Sequence, residues 1–160
     1  IKKDINLKII ETAFKRTEKF DINVLGFFMI GNREETPKSI RETINFAKKL
    51  NPLYATFTVL HPYPGTIDYE KAKEDGTLIG GYAPHEPLPW IKLPWTNKVD
   101  DLYKYSEMAY DEFYRRPRYI YKFLKSSIHQ RNYNLTGYIL KNFYKKISSI
   151  NTGWQNYIKI

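Results

Sequence analysis

VLGFFMIGNREETPKSIRETINFAKKLNPLYATFTVLHPYPGT, residues 24–66, is the stretch that decides the fold. Val24 to Ile30 carries no polar side chain, and an apolar run of that length predicts a strand buried on both faces. The polar residues after Gly31 make a turn. Thr36-Pro37 then opens a helix, with threonine as cap and proline at the first helical position. Ile40, Ile44, Ala47 and Leu50 form its inner stripe, and Asn51-Pro52 ends it. Tyr54 to Leu60, rich in aromatic and β-branched residues, predicts a second strand, followed by the turn HPYPGT. Strand–helix–strand units of this kind build parallel sheets, which hold ligands at the C-terminal ends of their strands. Both turns lie at those ends, so a site is expected there.

Upstream, Ile5 to Phe20 predicts a helix with Asp4 as its cap and Ile5, Ile9 and Ala13 on its inner face. Lys8, Glu11, Lys15 and Glu18 make its wet face. Downstream, Ile67 to Asp75 predicts a short helix closed by Gly76. Residues 77–97, with prolines, paired glycines, Trp90 and Trp95, exclude a regular element longer than a turn. The tryptophans point to an ordered loop rather than a linker. A helix resumes near Val99 with Leu102, Tyr105, Ala109 and Phe113 as its apolar stripe, and Arg116-Pro117-Arg118 breaks it. Two more helices are expected over 120–128 and 135–150. The chain therefore divides into an α/β part (1–76), a Pro/Trp-rich loop (77–97) and a helical basic extension (98–160).

The 160 residues suffice for about one domain, and 42% hydrophobic content suffices for a core. No apolar run approaches a membrane span. The first residue is Ile, so a fragment or processed chain is expected. There is no cysteine, which excludes disulfides and cysteine-ligated zinc or iron–sulfur clusters within these residues and makes the cytoplasm the expected compartment. The net charge of +9 is uneven: residues 1–100 hold 15 Lys/Arg against 13 Asp/Glu, and residues 101–160 hold 11 against 4. No P-loop, nucleophile triad or dinucleotide glycine pattern occurs, and His85-Glu86 lacks metal-site spacing.

GFFMIG and FAKKLNPLYATFTVLHPYPGT resemble the C-terminal half of a radical S-adenosylmethionine (SAM) domain. Within that family the likeness is to the subfamily with a cobalamin-binding domain, which includes the anaerobic magnesium-protoporphyrin ester cyclases and related methyltransferases. Their pattern runs G-Y/F-F-M-I/L-G-L-P-G-E-T, then a helix ending F-A-K-x-L, then a strand leading to P-Y-P-G-T. Many continue to R-x-A-Y-x-x-F-Y-x-R-P-x-Y-I, matched here from Met108 to Ile120. The resemblance covers about residues 1–120. It implies the back portion of a partial TIM-like barrel of six βα units, with Val24–Ile30 as fifth strand and Tyr54–Leu60 as sixth. It also implies an enzyme that cleaves SAM at a 4Fe–4S cluster, with cobalamin, and methylates or oxidatively cyclises an unactivated carbon. The three-cysteine loop that holds the cluster is absent, so the isolated chain is expected to be inactive. Its partners are then the remainder of the polypeptide, with the N-terminal barrel half and the cobalamin domain, and a small-molecule substrate. One departure stands out. Where the family pattern has L-P-G-E-T, this chain has Asn32-Arg33-Glu34-Glu35-Thr36. The turn must then be made by residues without glycine's freedom at positive φ, which Asn32 tolerates better than most.

The resemblance makes Met29, Ile30 and Gly31 an apolar wall for the SAM adenine, and places Leu60, His61 and Pro62 beside it. Read by itself, an apolar strand end is simply core, and His61 is a loop histidine satisfied by backbone or water. Glu35, Tyr63, Trp90 and Trp95 are the candidate rim or substrate contacts. For Glu35 the plain alternative is a solvated turn carboxylate; for the tryptophans it is packing against the barrel end. No catalytic or metal-ligating residue is expected in this stretch.

Residues 118–160 mix Lys and Arg with Tyr, Phe and Trp and contain no acid. That suits a non-catalytic amphipathic module on an anionic membrane surface, at the inner face of the membrane, or on nucleic acid. No RNA-binding motif accompanies the aromatics, so the membrane is favoured over nucleic acid; the plain alternative, of equal weight, is a solvated basic face on a helical appendage.

Overall fold

The computed structural model describes residues 6–129. The elements in chain order are α1 (Leu7–Lys19), β1 (Leu25–Ile30), α2 (Pro37–Leu50), β2 (Tyr54–Val59), α3 (Ile67–Glu74), β3 (Leu78–Ile79), β4 (Trp90–Ile91), α4 (Asp100–Tyr114) and α5 (Pro117–His129). The chain is α/β, with five helices and a small parallel sheet among the described residues. One compact unit spans Ile1–Tyr119 and therefore includes α4; the second is Ile120–Ile160. The expected helix over 135–150 lies outside the described residues.

β1 and β2 pair in parallel, Leu25 opposite Tyr54 through Ile30 opposite Val59. One face of this sheet is core. Phe28 stacks on Phe57 at 5.2 Å, and Phe57 meets Phe113 of α4 at 5.9 Å. Ile40, Ile44 and Ala47 of α2 and Leu102, Ala109 and Phe113 of α4 are fully buried in the same core. The other face departs from the expectation of burial on both sides. Leu25, Phe27 and Met29 are exposed, Phe27 by 77%, because α2 and α4 cover only one side. The stripe of α1 is equally open: none of its residues is buried, and Leu7 and Ile9 are exposed. Its cap is Asn6, whose side chain accepts from the Ile9 amide, rather than Asp4, so the helix starts two residues later than expected.

The two edges of the sheet differ. In a parallel strand the backbone groups of alternate residues point to opposite sides. The Leu60 and Tyr54 amides reach Ile30 and Val24 of the β1 side, so Leu53, Ala55 and Phe57 present theirs outward. Hydroxyls close that outer edge. The Ser106 hydroxyl donates to the Phe57 carbonyl at 2.5 Å, and the Tyr114 hydroxyl accepts from the Ala55 amide and donates to the Ala55 carbonyl. The Tyr119 hydroxyl donates to the Leu53 carbonyl. Ser106, rather than the expected Tyr105, is therefore the buried member of the α4 stripe, because its hydroxyl has a strand carbonyl to bind. No strand among the described residues pairs with the outer edge of β1, which carries Leu25, Phe27 and Met29.

Thr36 caps α2 with a reciprocal capping box to Ser39, and Asn51 ends it in the left-handed region at φ 49°. The Arg116 guanidinium then locks this end. It donates to the carbonyls of Phe113 and Lys48 and to the Asn51 side chain, and lies over the Phe113 ring at 4.4 Å. The helix break at Arg116-Pro117 is short: α5 begins at Pro117 itself, since proline suits the first turn of a helix. Residues 77–97 hold only the two-residue strands β3 and β4, paired antiparallel.

Candidate functional site

The turn after β1 is built from its own residues. Gly31 sits at φ 94°, conformationally open to glycine alone, and is buried so closely that a Cβ would stand 3.1 Å from Leu102. The Glu35 carboxylate folds back and accepts from the Gly31 amide at 2.5 Å and the Asn32 amide at 3.2 Å. Burial raises its pKa, and these two hydrogen bonds oppose the rise without cancelling it. Glu35 is thus a turn-building group more than a solvated rim carboxylate. The second left-handed residue is Glu34, at φ 63°, rather than the more tolerant Asn32. An L side chain in that region costs roughly 1–2 kcal/mol, so Glu34 is a point of backbone strain in this turn.

Arg33, where the pattern has proline, reaches across to the end of α3. Its Nη2 binds the Asp75 carboxylate at 2.6 Å, while its Nη1 is buried without a hydrogen-bond partner among the described residues. A buried donor left unpaired costs roughly 1–3 kcal/mol.

At the end of β2 the Leu60 amide donates to the Ile30 carbonyl at 2.7 Å, which joins the two strand ends. His61 is half-buried and engaged on both nitrogens. Nδ1 donates to the Pro89 carbonyl at 2.8 Å, and Nε2 lies 3.2 Å from the Tyr103 hydroxyl. A carbonyl only accepts, so Nδ1 carries a proton, and Nε2 and the Tyr103 hydroxyl share the second hydrogen bond. Burial, with Asp100 nearby, raises the Tyr103 pKa. Beyond Pro62, which is buried, Tyr63 stacks on Tyr82 at 5.2 Å and is exposed.

The candidate residues therefore divide. Met29 and Tyr63 are open; Gly31, Glu35, Leu60 and His61 frame the joined strand ends. Ile30, Pro62 and Trp90 are buried, so their side chains offer no open surface to a ligand. Trp95 is half-buried, and its indole N–H donates to the Glu35 carbonyl at 2.8 Å, which ties the Pro/Trp loop to the β1 turn. With Asp101, Lys104, Tyr105 and Met108, Trp95 lines an open cleft of about 400 Å³. Sequence reading missed Asp75, Pro89 and Tyr103. Each meets its partner only through folding, across 42, 28 and 42 residues respectively, and no local pattern carries that. No group of three His, Cys, Asp or Glu able to hold a metal occurs among the described residues.

No protein-family model matches the chain. Two curated proteins do. An uncharacterized methyltransferase of Pyrococcus horikoshii is 36% identical over 114 residues, covering 69% of this chain and 24% of that protein. The bacteriochlorophyllide d C-8(2)-methyltransferase of Chlorobaculum tepidum is 32% identical over 71 residues, covering 44% of this chain and 15% of that protein. The chain is thus related to proteins named methyltransferases, and spans about a quarter or less of their length. No helix among the described residues is long and apolar enough to cross a membrane.

Proposed function

We propose that this chain is the closing portion of a radical SAM catalytic domain of the cobalamin-associated type, and that the whole polypeptide methylates or oxidatively cyclises an unactivated carbon. The carrying observation is the one-sided sheet. Hydroxyls of Ser106, Tyr114 and Tyr119 finish the β2 edge, while the β1 edge and the Leu25, Phe27 and Met29 face remain open and apolar. A last strand built this way, with its opposite side ready for more sheet, fits the sixth strand of a partial barrel. The motif order from Gly26 to Ile120 and the methyltransferase names of two much longer relatives support the same reading.

With SAM and a reduced 4Fe–4S cluster bound in the whole polypeptide, the cofactors would supply the radical chemistry, and this chain's residues would line the adenosyl end. The 160 residues contain no cysteine, so on this reading the cluster's ligands, and the cobalamin site, would lie elsewhere in the whole polypeptide. For the adenosyl group the residues fit in part. Met29 offers an apolar surface at the strand end, and Gly31 allows close backbone approach. The Nδ1 proton of His61 is spent on Pro89, so its contribution is to position the Leu60–Pro62 backbone rather than to donate to a base.

The test is anaerobic purification of the whole polypeptide, reconstitution with iron and sulfide, and detection of 5′-deoxyadenosine after adding SAM and dithionite. SAM-dependent product from the whole polypeptide and none from this chain alone is expected. An upstream coding sequence without a three-cysteine motif would sink the reading. For the basic extension, the exposed Ile120, Tyr121 and Leu124 beside Arg118, Lys122 and Lys125 favour contact with an anionic membrane. Salt-sensitive co-sedimentation with anionic liposomes is expected; no sedimentation at low salt would end that idea.

A further inference from the structure

We propose that Arg33 is a specificity residue that binds an oxyanion, a carboxylate or phosphate, at the end of β1, with Asp75 as the internal acceptor that the ligand displaces. Three features of this turn converge on Arg33. It stands two residues beyond the buried Gly31, at the strand end where a parallel sheet places its ligands. Its pairing is half-made: Nη2 meets one oxygen of Asp75 at 2.6 Å, and Nη1 is buried with no acceptor among the described residues. A guanidinium is built for two parallel hydrogen bonds to one oxyanion, so this single contact leaves it short of its best partner. The ion pair is also reachable, with the Arg33 side chain 27% and the Asp75 side chain 51% exposed. An oxyanion arriving on the Asp75 side takes Nη2 and draws the guanidinium round until Nη1 is paired as well.

The backbone agrees. Glu34 holds φ 63° directly after Arg33, and strain of that kind persists where surrounding structure imposes it, often at ligand clamps. Two neighbouring groups are committed: the Glu35 carboxylate to the Gly31 and Asn32 amides, and the Trp95 indole to the Glu35 carbonyl. Arg33 is the guanidinium of this turn and carries a permanent charge. The oxyanion has two possible sources. It is the amino-acid carboxylate of SAM, which rests on the reading given under Proposed function, or it is a group of the substrate, which does not.

The experiment compares the whole polypeptide with its Arg33→Gln, Arg33→Lys and Asp75→Asn variants. The first arm measures thermal stabilisation by inorganic phosphate. Wild type gains stability, Arg33→Gln loses that gain, Arg33→Lys keeps part of it, and Asp75→Asn increases it, since the competing acceptor is gone. Opposite signs for the two halves of one ion pair are the signature; a merely structural pair gives changes of the same sign. Equal phosphate stabilisation in all proteins, or none in wild type, overturns the proposal. The second arm measures binding of S-adenosylhomocysteine, which carries the carboxylate, and of 5′-methylthioadenosine, which lacks it. If the source is the amino-acid tail, Arg33→Gln weakens the first by about tenfold or more and leaves the second unchanged. If the phosphate arm holds and both nucleosides bind all variants alike, the oxyanion belongs to the substrate. If neither nucleoside binds wild type, the SAM reading fails, while the phosphate arm still decides on Arg33.

Discussion

Exchanging Glu34 for glycine should stabilise the fold, and the same exchange two positions earlier, at Asn32, should not. Glu34 lies at φ 63°, where an L side chain costs roughly 1–2 kcal/mol through its Cβ. Glycine removes that cost but adds about 0.4–1 kcal/mol of unfolded-state freedom. The balance leaves Glu34→Gly more stable by about 0.5–1 kcal/mol, and since Glu34 is exposed, no packing is lost. Asn32 is not at positive φ, so Asn32→Gly only loosens the chain and should destabilise by about 0.5–1 kcal/mol. Glu34→Val, β-branched, should be worse than wild type. Urea denaturation with unchanged slope reads these differences as shifts of the midpoint. Stabilisation by Asn32→Gly together with destabilisation by Glu34→Gly would refute the assignment of strain to Glu34.

Three more perturbations test other joints. Tyr114→Phe strands the amide and carbonyl of the buried Ala55, and should cost about 1–3 kcal/mol although it deletes one oxygen; urea midpoints check it. Arg116→Met removes a charged donor from Phe113, Lys48 and Asn51 together and should cost about 1.5–3 kcal/mol, read the same way. The pH dependence of the midpoint should separate Glu35 from Glu112. Burial raises the Glu35 pKa, so its contribution favours the fold below the ordinary value of 4.5 and is lost as pH rises through its elevated value; Glu35→Gln should remove that loss. Lys48 first, and Arg41 after it, hold Glu112 low, so its contribution is present above 4.5 and lost as pH falls; Glu112→Gln should flatten the acid limb.

How much of this was legible in the sequence depends on whether the signal is local. Thr36-Pro37 and Asn51 mark the ends of α2 because caps and breakers act within a turn, and the two strands follow from composition alone. The open face of β1 was not legible. An apolar run says that both faces want cover, and α2 and α4 provide it on one side only. Ser106 was read past because a serine in an apolar stripe looks like a flaw, until the Phe57 carbonyl is seen to need a donor. At the candidate site, motif order and strand-end position single out Gly31, Glu35 and His61, but not what they touch. Glu35 turns inward to two amides of its own turn, and His61 spends both nitrogens on residues 28 and 42 positions away. The Arg33–Asp75 pair, joining two strand-end segments, belongs to the same unreadable class.

The central claim, that β2 ends a parallel sheet which continues from β1, is tested most directly by amide hydrogen exchange in this chain and in the whole polypeptide. The outward amides of Phe27 and Met29 should exchange rapidly in the chain alone and become strongly protected in the whole polypeptide, where a further strand pairs with them. The Ala55 amide, held by the Tyr114 hydroxyl, should be protected in both. Phe27 and Met29 amides that exchange as fast in the whole polypeptide as in the chain alone would contradict the account.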